Sequence, residues 1–160
     1  MDAAAEGGCS DVVVVLGADP EAYTVALAGT RAQITVNPNY KEGMSTSIRS
    51  GVEALPTECT AAVILLADQP RIDGGVIRAL LETYEASGKR IVAARYGDVR
   101  GAPVLFDRAF FLELLVLEGD HGARAVMEIY RNEVAEVVIP AEAGLDVDRP
   151  EDVERLQRDD

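Results

Sequence analysis

The sequence predicts one α/β domain on a mainly parallel sheet, spanning residues 1–160. Three observations predict it. Val12-Val13-Val14-Val15-Leu16 and Ala61-Ala62-Val63-Ile64-Leu65-Leu66-Ala67 are continuous apolar runs, as strands buried on both faces require. Segments of helical period, each roughly ten residues long, alternate with such runs. Turn residues punctuate the junctions, as at Gly17, Asn37-Pro38-Asn39 and Gly88.

The elements follow in order. After the strand at 12–16, residues 20–28 carry a helical pattern with Tyr23 and Leu27 on one face. Residues 32–36 form a short strand, closed by Asn37-Pro38-Asn39. The next helix runs over 45–55, with Ile48, Val52 and Leu55 on its inner stripe. The strand at 61–67 ends at Asp68-Gln69-Pro70, where proline stops the ladder. Asp73 is placed to cap a helix through Val76, Ile77, Leu80, Leu81 and Tyr84, and Gly88 ends it. A strand at 91–95 turns through 96–101 and returns at Pro103-Val104-Leu105-Phe106, near a sheet edge because of its proline. Asp107 caps a helix through Leu115; Gly119-Asp120 ends it and caps another through Tyr130. Residues 133–139 alternate as a strand, 145–148 are extended, and Pro150 opens an acidic helix at its first position.

Composition narrows the function classes. The chain is 48% hydrophobic and 27% charged, which is globular rather than disordered. A net charge of −13 argues against nucleic acid or an anionic membrane as partner. It leaves room for a phosphorylated small molecule, because one metal ion or arginine overrules the global field locally. Cys9 and Cys59 have neither metal-site nor disulfide-framework spacing, which suits a reducing cytoplasm. Nothing at the amino terminus reads as a signal peptide, and the run at 12–16 is too short to span a bilayer.

Four segments carry candidate chemistry. Asp68 lies where ligands gather in open α/β sheets, at the carboxyl end of an apolar strand. A carboxylate there suits magnesium arriving with phosphates, or else a turn cap. Gly43-Met44-Ser45-Thr46-Ser47 offers free N–H groups and hydroxyls at a helix start, a seat for an anion or nucleotide or simply capping. In Gly119-Asp120-His121-Gly122-Ala123-Arg124, glycine permits close approach and Arg124 can fork onto a phosphate; the role of His121 stays open. Asp146 and Asp148 share a face of an extended segment, fitting a cation site or the start of an acidic helix. The metal reading requires that Asp148 and Asp68 converge.

Taken together, these segments resemble the molybdenum cofactor cytidylyltransferase group of MobA-like nucleotidyltransferases. The resemblance rests on Asn37-Pro38 through Gly43 to Gly51, Leu66-Ala67-Asp68-Gln69-Pro70, Pro103 to Phe106, Gly119 to Arg124, and Asp146 to Asp152, in that order. It implies a Rossmann-like nucleotidyltransferase fold of the nucleotide-diphospho-sugar transferase type, a three-layer sandwich. It also implies transfer of CMP or GMP from CTP or GTP to a molybdopterin-type acceptor, with Mg2+ and release of pyrophosphate. By the same resemblance Asp68 and Asp148 are catalytic, and Asp68, Asp146 and Asp148 hold the metal. Asn37, Gly43, Met44, Ser45 and Ser47 bind nucleotide; Asp120, His121, Gly122 and Arg124 bind the acceptor. A molybdoenzyme or its chaperone is the implied protein partner.

Two departures stand out: Gly101-Ala102-Pro103 replaces the usual Gly-His-Pro, and Arg149 replaces a threonine before Pro150. The family also opens with a strand and a Leu-Ala-Ala-Gly phosphate loop, whereas residues 1–8 resemble only the tail of the following helix. This sets the expectation of an N-terminally truncated or start-shifted member with impaired catalysis. Unpaired edges are then expected on the strands at 12–16 and 61–67, unless the two are forced together. The competing expectations are a non-catalytic module binding nucleotide or a partner, and a sugar-nucleotide transferase on a related fold.

Overall fold

Two apolar strands that read as interior strands each end up beside an open edge. The computed structural model describes residues 1–144 and residue 147. Strand β1 (Val13–Leu16) pairs in parallel with β2 (Gln33–Val36), and these form a two-stranded sheet. Strands β3 (Ala61–Ile64), β4 (Ile91–Tyr96), β5 (Val99–Asp107) and β6 (Val134–Val138) form a second sheet in the order β3-β5-β4-β6. Among the described residues no ladder joins β1 to β3, and the edges expected to be unpaired carry no partner strand there. Val13, Val14 and Val15 and all four residues of β3 are only half-buried as a result.

The second sheet is packed on both faces. Ile91, Ala93, Val104 and Phe106 point to one face and pack with Ile48, Phe110, Leu114, Leu117, Val126 and Met127. The alternate residues Val92 and Leu105 point to the other and pack with Ile72, Ile77 and Leu80. Helices α3 (Met44–Glu53), α5 (Phe111–Leu115) and α6 (Ala123–Ile129) cover the first face. Helix α4 (Gly74–Ser87) covers the second, with α1 (Asp2–Gly7) outside it. Gly7 and Gly74 let α1 and α4 touch: a Cβ on Gly7 would lie 2.4 Å from that of Ile77. Arg49 of α3 donates to the carbonyls of Leu115 (3.1 Å) and Leu117 (2.9 Å), closing the end of α5. Helix α2 (Pro20–Ala26) buries none of its residues.

Several expectations need correction. The strand over 103–106 is interior: β5 lies between β3 and β4 and antiparallel to both, and Val104, Leu105 and Phe106 are buried. Pro103 is tolerated because the β4 register slips between Ala93, opposite Val104, and Ala94, opposite Gly101. The proline falls in that bulge, joined to Ala102 by a cis peptide, where the ladder needs no donor. Strand β3 ends at Ile64, so Leu65 to Ala67 are its exit. Asp120 is no helix cap; α6 starts from Gly122 without a side-chain cap. Asp73 and Asp107 do cap, accepting from Val76 N (3.0 Å) and Ala109 N (2.8 Å). Asp146, Asp148 and the helix expected from Pro150 lie outside the described residues.

Candidate active site

The expected nucleotide and acceptor segments touch. Gly43 is the N-cap of helix α3, and its φ of +115° is a conformation that side-chain-bearing residues avoid. A Cβ there would sit 2.4 Å from the carbonyl oxygen of Gly119. The next free amide, Ser45 N–H, donates to that same oxygen at 3.2 Å. A Cβ on Gly122 would lie 2.8 Å from the Met44 sulfur. Glycines at both positions thus allow the start of α3 to rest against the loop that leads into α6.

Local polar chemistry shapes the same corner. Asn37, 2% exposed, donates from Nδ2 to Thr46 Oγ1 (2.8 Å) and Ser47 Oγ (3.0 Å). Its Oδ1 accepts from Asn39 N at 2.9 Å, an Asx turn that ties the end of β2 to the first turn of α3. Asn37 and Ser47 are therefore engaged with the protein itself. Thr46 Oγ1 lies 2.9 Å from the Gly43 carbonyl and 3.1 Å from that of Asn39. Ser45 differs: its side chain is fully buried and its hydroxyl oxygen has no hydrogen-bond partner among the described residues.

Between α3, α6 and the ends of β3 and β5 lies a cleft of about 440 Å³. Met44, Ile48, Ile64, Leu66, Val104 and Met127 supply its apolar lining. Asp120, His121, Gly122 and Arg124 line it too, so all the residues expected on the acceptor side gather here. Arg124 also meets Glu128 at 3.2 Å, across an exposed turn of α6. Sequence reasoning missed Arg100, although a basic residue just before the altered Gly101-Ala102-Pro103 was its available signal; Arg100, Gly101 and Ala102 also line the cleft.

Asp68 is not among the residues lining this cleft. It follows the exit of β3, and one carboxylate oxygen, Oδ1, is buried without a hydrogen-bond partner among the described residues. A buried, unpartnered carboxylate oxygen is costly unless a cation or donor meets it, so Asp68 fits a divalent-metal ligand. The Asp68 carbonyl accepts from Val147 N at 2.8 Å, which fixes residue 147 beside it. Among the described residues, no three His, Cys, Asp or Glu side chains form a metal-sized cluster. Also among them, no helix is long and apolar enough to cross a membrane.

This arrangement is that of a known family, whose MobA-like NTP transferase domain matches residues 1–137. The chain belongs to the MobA-like NTP transferase family. Nicotine blue oxidoreductase of Paenarthrobacter nicotinovorans is 30% identical to this MobA-like chain over 129 residues, covering 76% of the chain and 62% of that relative. The chain thus spans less than two thirds of that relative's length. The crystal structure of Rv0371c from Mycobacterium tuberculosis H37Rv is similar with a TM-score of 0.84 at 27% identity, covering 98% of this chain and 80% of the other. Rv0371c is also known as a complex with manganese, similar with a TM-score of 0.81, 27% identity and coverage of 98% and 82%. A nucleotidyl transferase from Methanothermobacter shares the fold, with a TM-score of 0.80 at 18% identity and coverage of 98% and 76%. The MobA-like chain therefore has the nucleotidyltransferase fold expected from its motifs.

Proposed function

We propose that this MobA-like chain transfers a nucleoside monophosphate, CMP or GMP, from CTP or GTP to a molybdopterin-type acceptor. The observation that carries this reading is the 2.8 Å bond from Val147 N to the Asp68 carbonyl. It fixes the residue between Asp146 and Asp148 beside the acid that follows the exit of β3. An oxygen of the acceptor's phosphate attacks the α-phosphorus of the nucleotide and forms a new P–O bond. The bond from that phosphorus to the bridging oxygen breaks, and pyrophosphate leaves with the electron pair. The protein's task in such a transfer is positioning and charge neutralisation. Asp68, Asp146 and Asp148 would hold Mg2+, which would neutralise charge on the reacting phosphates. Gly43, Met44 and Ser45 contact the nucleotide, with Asn37 and Ser47 bracing them. Asp120, His121, Gly122 and Arg124 contact the acceptor. The manganese complex of Rv0371c supports a divalent ion in this fold.

Calorimetric titration with CTP and GTP, with and without Mg2+, tests the reading alongside an assay for pyrophosphate. Magnesium-dependent nucleotide binding and acceptor-dependent pyrophosphate release are expected. The absence of any magnesium-dependent nucleotide binding would overturn it.

The second reading is a module that binds nucleotide or a partner without turnover. The edges of β1 and β3 that carry no partner strand among the described residues favour it. Nucleotide binding without pyrophosphate release would select this second reading.

A further inference from the structure

We infer that Tyr96 is a positioning residue for the metal side of the site: its ring carries the segment that brings Val147, and the two acids flanking it in the chain, to Asp68. Its consequence for metal binding rests on the reading of Asp68, Asp146 and Asp148 given above.

The topology explains why that segment needs support. Strands β3, β4 and β6 run parallel, and β5 runs antiparallel between β3 and β4. Their carboxyl ends and the start of β5 therefore share one end of the sheet. Ile139 N–H extends the β6–β4 pairing by one residue, donating to the Arg95 carbonyl at 3.0 Å. Val147 N–H donates to the Asp68 carbonyl at 2.8 Å, past the exit of β3. Strands β6 and β3 are the two edges of this sheet, about 14 Å or three strand spacings apart. The chain between those two bonds thus crosses the whole end of the sheet.

Tyr96, the last residue of β4, meets the crossing at Gly144, where a 3-10 turn over Ala141–Gly144 ends. A Cβ on Gly144 would lie 2.6 Å from ring atom Cε1 and 2.9 Å from Cζ, so the backbone rests directly on the ring. The opposite ring edge faces Gly101 of β5, where a Cβ would come within 3.8 Å of Cε2. The Tyr96 hydroxyl donates to the Ala102 carbonyl at 2.7 Å, which fixes the direction of the ring. Tyr96 and Ala143 also pack against the cluster that contains Val92 and Leu105. A ring with two side-chain torsions, held by its own strand and by β5, is a stiff spacer. It sets how the chain passes at Gly144, and Val147 lies three residues further on. Supports of this kind orient metal ligands without touching the metal.

The test measures hydrogen exchange of the Val147 amide by NMR and Mn2+ binding by calorimetry, on the full chain without nucleotide. Tyr96→Leu should speed exchange at Val147 by about tenfold or more, while the amides of Val92 and Leu105 keep their protection. Mn2+ should bind about tenfold or more weakly, the usual cost of losing such a support. Tyr96→Phe keeps the ring and should stay within about threefold of wild type, the size of a modest hydrogen bond. Gly144→Ala presses on the ring and should act in the same direction; it leaves the ring in place, so it reads the contact even where Tyr96→Leu does not fold. In the Tyr96→Leu background it should add little, because the atoms it meets are gone. Unchanged Val147 protection in the folded variants, equal loss at Val92 and Leu105, or additive effects of the two substitutions would each overturn the positioning role. Wild-type Mn2+ affinity in a Tyr96→Leu chain whose Val147 amide has lost protection would overturn its link to the metal. A wild-type chain that binds no Mn2+ would sink the metal reading alone, and exchange at Val147 would still decide the role of Tyr96.

Discussion

Val147 donates its backbone N–H to the carbonyl of Asp68 at 2.8 Å. Seventy-nine positions separate the two, and the bond ties the segment between two acids to the acid at the exit of β3. The first prediction concerns that acid. Asp68→Asn keeps the shape and removes the charge from a buried oxygen that has no hydrogen-bond partner among the described residues. Nucleotidyl transfer should fall by about a hundredfold or more, with loss of the magnesium dependence of nucleotide binding. The metal-free protein should melt no earlier than wild type, because a poorly solvated charge is removed. Earlier melting with unchanged metal-dependent binding would show that Asp68 is a turn residue only.

Gly43 gives a steric prediction. Gly43→Ala would force a Cβ to within 2.4 Å of the Gly119 carbonyl oxygen, at a φ of +115°. Both effects act on the folded state, so a loss of more than about 1 kcal/mol is expected in chemical denaturation. The amides of Gly119 and Gly122 should shift in the surviving folded fraction.

Asn37 separates bracing from contact. Removing its amide leaves the buried corner around Thr46 without its donor. Asn37→Ala should cost about 1–3 kcal/mol of stability. Where the variant still folds, acceptor-side binding should be retained while nucleotide affinity drops, as measured by calorimetry.

Tyr84 contributes to the alkaline limb of stability. Its hydroxyl donates to the Asp107 carboxylate, and that bond, more than partial burial, pushes its pKa up to about 12. The usual value for tyrosine is about 10. The folded state therefore holds the proton more tightly than the unfolded chain. The contribution is fully present below about pH 10 and is lost as pH rises toward 12. Tyr84→Phe should flatten that part of a melting-temperature profile and change little of its shape near neutrality.

Some of this was legible in the residues, and some was not. Asp73 and Asp107 announced helix starts because capping is a local bargain between a side chain and the next turn's amides. Asp120 looked identical in sequence, yet the loop after Gly119 continues to Gly122 before α6 begins. Pro103 suggested an edge because a proline lacks a donor; only the register slip at Ala93/Ala94 shows how an interior strand accommodates it. Asp120, His121, Gly122 and Arg124 were legible as a group and do share one cleft. Arg100 was not: the β4–β5 ladder and Glu136 of β6 set its place beside the cleft, and the one signal in the chain was a basic residue just before Gly101-Ala102-Pro103.

The contact of Gly43 and Ser45 with the Gly119 carbonyl has a thermodynamic consequence. The segments proposed for nucleotide and acceptor meet through backbone atoms at Gly43, Ser45 and Gly119, so a displacement of one bears directly on the other. A ligand that fixes one segment changes the free energy of arranging the other. Linkage makes that change equal in both directions. The affinity for the first ligand measured in the presence of the second must then differ from its affinity alone by the same factor, whichever is added first.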